Sequence, residues 1–255
     1  MGVKYKLGVI GKEISYSLSP KIHHYFAKDA GLDISYEVFD IESQPIDFIE
    51  EFFEFGGKGL NITKPFKEVV ASRFADNLKS ANCLSSKPIK AYTTDGEGLI
   101  NDLISKEIDF KGKNIMIFGL GGAGVAVANF LDKFSNVSLF NRSQTKIESM
   151  VKNNPSFNKY DGEKIDILIS CAQGLDVNAV DFFDSVNLGV DACIYDINYK
   201  NETNLLFQEL EKVKPENFFT GEGMLVEQAA LSFKIWFNNA PKTTYIKELI
   251  NNERL

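Results

Sequence analysis

The chain has 255 residues, 44% hydrophobic and 25% charged, a balance that suits a folded protein with a full core and excludes disordered and collagen-like chains. Its 28 basic and 35 acidic residues leave a net charge of -7, which repels phosphate backbones and anionic lipid heads. Neither a nucleic acid nor a membrane surface is an expected partner.

Short β-branched or aromatic runs alternate with helical patterns, as crossover helices on a mainly parallel sheet require, so the expected class is α/β. The opening MGVKYKLGVIG has no long apolar core or small-residue cleavage site and leads into a strand over residues 5–10. Ser15-Tyr16-Ser17-Leu18-Ser19-Pro20 follows, with Ser19 expected as N-cap and Pro20 at the first position of a helix over 20–30. It reads as a plain helix start or as a cradle for a small carboxylate, because Ser17 and Ser19 at spacing two can present both hydroxyls beside the positive end of a helix dipole. His23 and His24 lack Cys or acidic partners at ligand spacing and read as structural; no metal is expected.

A strand at 35–39, a helix at 46–53 and a strand at 59–62 come next. The last opens into Asn61-Ile62-Thr63-Lys64-Pro65-Phe66-Lys67, where Pro65 starts a short helix with Lys67 in its first turn. A lysine there opposes the helix dipole, a local conflict expected at functional sites, although a snorkelling surface lysine is the ordinary alternative. Thr93-Thr94-Asp95-Gly96 ends a strand-like stretch and begins a helix, where Asp95 could be only an N-cap. A helix at 98–108 and a polar turn at 109–113 suggest a boundary before a second βαβ series.

The second series has strands at 114–118, 137–140, 165–170, 193–197 and 218–220, and helical patterns at 203–212 and 224–237. Its longest apolar stretch, 115–131, is broken by glycines and reads poorly as a membrane span. Gly119-Leu120-Gly121-Gly122-Ala123-Gly124 stands between a strand and a helix, the context of a dinucleotide-binding turn: one glycine for the turn, one for pyrophosphate approach and one for close helix packing. After the next strand come Asn141-Arg142-Ser143, without the acid that usually binds an NAD ribose. Arg142 and Lys146 suit a 2′-phosphate, so NADP is favoured over NAD, unless they are ordinary basic residues on an exposed loop. Cys83, Cys171 and Cys193 are widely spaced without CxxC and fit reduced thiols in a cytoplasmic protein.

Together these residues resemble the shikimate dehydrogenase family: Ser17-Leu18-Ser19-Pro20, Asn61 through Lys67, Ala81-Asn82, Thr94-Asp95-Gly96, the glycine loop, Asn141-Arg142-Ser143 and Gly221-Glu222-Gly223-Met224-Leu225-Val226-Glu227-Gln228-Ala229 occur in family order. The resemblance implies NADPH-dependent reduction of 3-dehydroshikimate to shikimate by Lys67 and Asp95. It implies substrate contacts from Ser17, Ser19, Asn61, Thr63, Asn82, Tyr199 and Gln228, and cofactor contacts from Gly119, Gly121, Gly122, Ala123, Gly124, Asn141, Arg142, Ser143, Lys146, Ile197 and Gly221. It further implies a substrate domain of residues 1–97 plus 224–255, an NADP-binding Rossmann domain of 98–223, and a monomer or homodimer with small-molecule ligands only. The chain departs from the family's pattern at Ser80, Cys83, Thr93, Asn201 and Ile169-Ser170-Cys171-Ala172. Rivals are a dual-cofactor quinate/shikimate paralogue and a non-catalytic ligand sensor, the latter disfavoured by the presence of both Lys67 and Asp95.

Overall fold

A computed structural model describes residues 4–172, 185–199 and 215–252. It divides into two compact units, one of Met1–Leu99 with Leu225–Leu255 and one of Ile100–Met224. Among the described residues, no helix is long and apolar enough to cross a membrane.

The first unit is built on a five-stranded sheet of β1 (Tyr5–Gly11), β2 (Ile34–Asp40), β3 (Gly57–Ile62), β4 (Cys83–Ser85) and β5 (Lys90–Tyr92), in the order β2-β1-β3-β4-β5. β1 runs parallel to both neighbours, and β3, β4 and β5 pair antiparallel. β1 is buried from Leu7 to Gly11, as a strand covered on both faces must be. Helix α1 (Ser19–Asp29) buries Ile22, His23, Phe26 and Ala27, a stripe at helical spacing. Helix α2 (Pro45–Glu54) and helix α3 (Lys67–Phe74) contribute Ile49, Phe53, Val70 and Ala71 to a second cluster with Leu60 and Ile62.

Helix α4 (Asp95–Ser105) contains one boundary between the units. The expected boundary at 109–113 is therefore corrected. That polar turn only joins α4 to β6 (Asn114–Phe118) within the second unit, where Asn136 N–H donates to Lys113 O.

The second unit adds helix α5 (Gly122–Leu131), β7 (Asn136–Phe140), helix α6 (Gln144–Asn153), β8 (Asn158–Lys159), β9 (Ile165–Ser170), β10 (Leu188–Asp196) and β11 (Phe218–Thr220). Its wholly parallel sheet has the order β11-β10-β9-β6-β7-β8, the doubly wound dinucleotide-binding order with its switch point between β6 and β9.

Helix α7 (Glu222–Phe237) contains the other boundary, and helix α8 (Thr244–Asn251) follows it. In the first unit, α7 supplies Val226, Ala229, Phe233 and Trp236 to the cluster formed by α1, β1 and β2. A Cβ on Gly59 would collide with the Trp236 ring, whose Nε1 donates to Leu84 O at 2.9 Å, so a bulkier residue at 59 would push α7 off the sheet. The helix expected at 203–212 lies outside the described residues.

Candidate active site

In the first unit the polar residues gather at the carboxyl ends of β1 and β3. Lys67 is the first residue of α3 and Asp95 the first of α4. Lys67 Nζ donates to Asp95 Oδ2 at 2.7 Å, and the two side chains are 15% and 6% exposed. The plain snorkelling reading of Lys67 therefore does not hold: the lysine is half-buried and tied to a buried acid. The other Asp95 oxygen accepts from Asn82 Nδ2 at 2.8 Å, so its carboxylate serves side chains rather than acting only as an N-cap.

Asn82 is the centre of this network. Its Nδ2 also lies 2.8 Å from Thr94 Oγ1 and 3.2 Å from Gln228 Oε1, while its Oδ1 accepts Thr94 N–H at 2.7 Å. Gln228 Nε2 donates to Leu225 O at 2.8 Å. Close approach of α4 to α7 depends on Gly98, where a Cβ would stand 2.8 Å from Gln228 N. Thr94, quoted in the sequence motif without a role, ties the two helices by donating from Oγ1 to Gln228 O at 3.0 Å.

Asn61 is 6% exposed, and its amide is engaged inside the protein. Nδ2 donates to Asn82 O at 3.1 Å and Ser232 Oγ at 3.0 Å, and Oδ1 accepts from Tyr36 OH at 2.8 Å. Burial pushes the Tyr36 hydroxyl well above its usual pKa. Ser19 is not the N-cap: Leu18 holds that position without a side-chain cap bond, and Ser19 is the first helical residue. The hydroxyl nearest to a capping role is Ser17 Oγ, which accepts Ser19 N–H at 3.3 Å. The loop before it is anchored by Asp40, which accepts the N–H groups of Glu13 and Ile14 at 2.8 and 3.0 Å. Thr63 is half-buried, with its methyl against Gly11.

His23 is a core residue, as expected. It stacks on Tyr36 with centroids 4.6 Å apart at 9°, and burial drives its pKa down to about 3, so it stays neutral. Two departures from the family's pattern leave a mark here: Ser80 Oγ and Thr93 Oγ1 are buried without a hydrogen-bond partner among the described residues.

The second unit carries the glycine loop at the carboxyl end of β6. Gly119 has φ +97°, and a Cβ there would lie 2.8 Å from Ala172 N. This puts the unusual Ser170-Cys171-Ala172 run directly beside the loop, where Cys171 N–H donates to Phe118 O at 2.7 Å. A Cβ on Gly124 would collide with Gly119 O, whereas one on Gly121 would project into open space. Gly121 is the N-cap of α5 and offers no side chain, so the helix start bearing Gly122 and Ala123 presents backbone N–H groups beside that space. These features fit a pyrophosphate at a helix N-terminus.

Asn141 Oδ1 accepts Leu120 N–H at 3.0 Å and so braces the loop. Ser143 is the N-cap of α6, its Oγ 2.7 Å from Thr145 Oγ1, and Arg142 is exposed. Lys146 is also exposed, with Nζ donating to Leu120 O at 3.2 Å, so in this structure it reaches the glycine loop itself. Farther along the sheet, Gly221 lies hard against Ile197 O and donates its N–H to Asn198 O at 3.3 Å. Asn198 Nδ2 donates to Ala172 O at 2.8 Å. Tyr199 is half-buried three residues beyond β10.

Family models described as the shikimate dehydrogenase substrate binding domain and the shikimate 5'-dehydrogenase C-terminal domain match residues 9–84 and 221–250. The chain is 32% identical over 267 residues to the NADP(+) shikimate dehydrogenase of Chromobacterium violaceum, covering 96% of this chain and 97% of that one. The chain belongs to the shikimate dehydrogenase family. The corresponding protein of Buchnera aphidicola is 30% identical over 269 residues, covering 97% of each chain. A crystal structure of a shikimate dehydrogenase in complex with NADP+ superposes with a TM-score of 0.83 at 28% identity, covering 100% of this chain and 98% of that one. The family's two-domain α/β architecture accounts for the two sheets, and the residues sequence reasoning left without a role, Tyr36, Thr94 and Ser232, all hold its polar groups in place. Thr94 alone carried a signal, as part of a motif; Tyr36 and Ser232 sat in apolar patterns.

Proposed function

We propose that this chain catalyses the NADPH-dependent, reversible reduction of 3-dehydroshikimate to shikimate. The observation that carries the reading is the Lys67–Asp95 pair at 2.7 Å, held by Asn82 in a chain of this family. Among the curated relatives, those of Chromobacterium violaceum and Buchnera aphidicola carry the same NADP-dependent activity in their names.

The nicotinamide supplies the hydride in reduction and accepts it in oxidation. As hydride reaches the ketone carbon, negative charge develops on oxygen, and a positioned proton donor lowers the barrier. Lys67 Nζ gives that proton to the oxygen and takes it back from the hydroxyl in the reverse direction. Asp95 orients the ammonium and shares its proton, itself fixed by Asn82. Ser17 and Ser19 receive the substrate carboxylate, Thr63, Asn82 and Gln228 the ring hydroxyls, and Asn61 and Tyr199 complete the substrate set. Asn61, whose amide is already engaged, acts chiefly by holding Asn82 and Tyr36. The glycine loop, from Gly119 through Gly124, binds the pyrophosphate of NADP. Asn141, Arg142, Ser143 and Lys146 take the adenosine end, and Ile197 and Gly221 the nicotinamide end. The same reading takes residues 1–97 with 224–255 as the substrate domain and 98–223 as the NADP domain. The protein works in the cytoplasm as a monomer or homodimer, its three buried thiols suiting a reducing compartment.

The test is an absorbance assay at 340 nm with shikimate or quinate and with NADP+ or NAD+. Shikimate with NADP+ is the expected best pair. Folded protein giving no change at 340 nm with shikimate from neutral to alkaline pH overturns the reading.

A further inference from the structure

Asp102 lies two helical turns beyond Asp95 on α4 and takes no part in the chemistry above. It is wholly buried. Its carboxylate accepts from Tyr195 OH at 2.7 Å and from Lys106 Nζ at 3.1 Å, while Ser105 Oγ, 3.3 Å from the carboxylate, donates to Asp102 O at 2.9 Å. A Cβ on Gly223 would fall onto the carboxylate, so the first turn of α7 rests with bare backbone on Asp102. All these residues belong to the second unit. A buried carboxylate is costly in lost hydration unless its partners offset it, and an apolar residue would fill the space more cheaply.

The position of the carboxylate gives it a use. Tyr195 is the penultimate residue of β10 and is followed by Asp196-Ile197-Asn198, while Gly223 lies two residues beyond Gly221. Asp102 therefore grips one residue behind each of the two strand-end segments that meet where Gly221 abuts Ile197. In a doubly wound sheet the two halves of a dinucleotide lie on the two sides of the switch point. The glycine loop of β6 and Arg142 after β7 serve the adenosine half, which leaves the ends of β10 and β11 to the other half.

We propose that Asp102, acting through Tyr195 and Gly223, is a positioning residue that sets the pocket wall for the nicotinamide half of the cofactor. The inference rests on the cofactor reading given under the proposed function. Asp102 touches neither cofactor nor substrate; it fixes the spacing of Ile197 and Gly221.

The experiment measures calorimetric affinities of NADP+ and of 2′,5′-ADP, which carries the adenosine half alone, for the whole unmodified chain and for Tyr195→Phe and Asp102→Asn. Thermal melting identifies folded variants, and Tyr195→Phe removes one hydroxyl without changing the ring. The expected result is NADP+ affinity weakened about tenfold with 2′,5′-ADP affinity unchanged, because one charge-assisted hydrogen bond is lost behind only one half of the site. Equal weakening of both ligands, or no weakening of NADP+ in folded Tyr195→Phe, overturns the positioning role. If the unmodified chain binds neither nucleotide, the cofactor reading falls first and the inference with it.

Discussion

Lys67 Nζ and Asp95 Oδ2 join, at 2.7 Å, the first residues of two helices whose starts are 28 positions apart in sequence. The acid sits favourably at its helix start and the lysine unfavourably at its own, so the ion pair compensates a cation placed against a dipole. Replacing Lys67 by Met is expected to lower kcat by about 10²-fold or more with a smaller change in KM, since general acid/base groups contribute roughly 10²–10⁴ in rate. Initial rates at 340 nm decide it. A steep rise in KM with kcat preserved would make Lys67 a binding residue only.

Ser17 and Ser19 frame the start of α1, the first accepting the second's N–H. Ser17→Ala with Ser19→Ala is expected to raise KM for shikimate, each lost donor to the anion costing about 1–3 kcal/mol, while NADP+ affinity holds. Shikimate titrations and separate NADP+ titrations measure the two effects. Loss of NADP+ binding in the double variant contradicts the carboxylate role.

Cofactor choice follows from the end of β7, where no acid follows Phe140 and Arg142 is exposed. NADP is expected to exceed NAD by about 10²-fold in kcat/KM if Arg142 and Lys146 both reach the 2′-phosphate. Arg142→Ala should erode the preference by weakening NADP alone, and added salt should act in the same direction. Equal kcat/KM for the two cofactors in the unmodified chain revives the dual-cofactor paralogue.

His23 makes stability depend on pH. Its folded pKa of about 3 lies below the ordinary 6.5, so on acidification the unfolded chain takes a proton that the folded one refuses. Stability is fully present above about pH 6.5 and declines toward pH 3, by up to about 1.4 kcal/mol per pH unit. Urea unfolding at pH 7.5 and 5 should show His23→Phe losing roughly 2 kcal/mol less between the two pH values than the unmodified chain. Identical losses would remove His23 from the account.

Some of these features could be read from residue identity, and others could not. The glycine loop was legible because positive φ at Gly119 and close contact at Gly124 are backbone constraints that only glycine meets. Lys67 and Asp95 were legible as a local conflict and a helix start, but only the folded chain brings them together. Of the β4–β5 hairpin only the strand-like stretch before Thr93 was legible, and β4 escaped because three residues are too short to show alternation. Asn61 was legible as an implied substrate contact but not as an amide engaged inside the protein, since Tyr36 and Ser232 are 25 and 171 positions away. Asp102 was hidden by its i,i+4 spacing from Lys106, which reads as an exposed surface pair.

The seat of Trp236 on Gly59, with its indole bonded to Leu84 O, bears on the order in which the protein is made. A chain grows from its N-terminus and folds domain by domain as it emerges. Here the first unit to emerge is the last that can close, because part of the cover of its sheet, from Leu225 on, follows the whole second unit. Until then the ribosome holds out a half-finished sheet with Val9, Phe26 and Tyr36 lacking their cover, while the second unit has all of its own residues in hand. Chaperone demand during synthesis should therefore centre on the N-terminal sheet, and a chain stopped at Met224 should aggregate through that face.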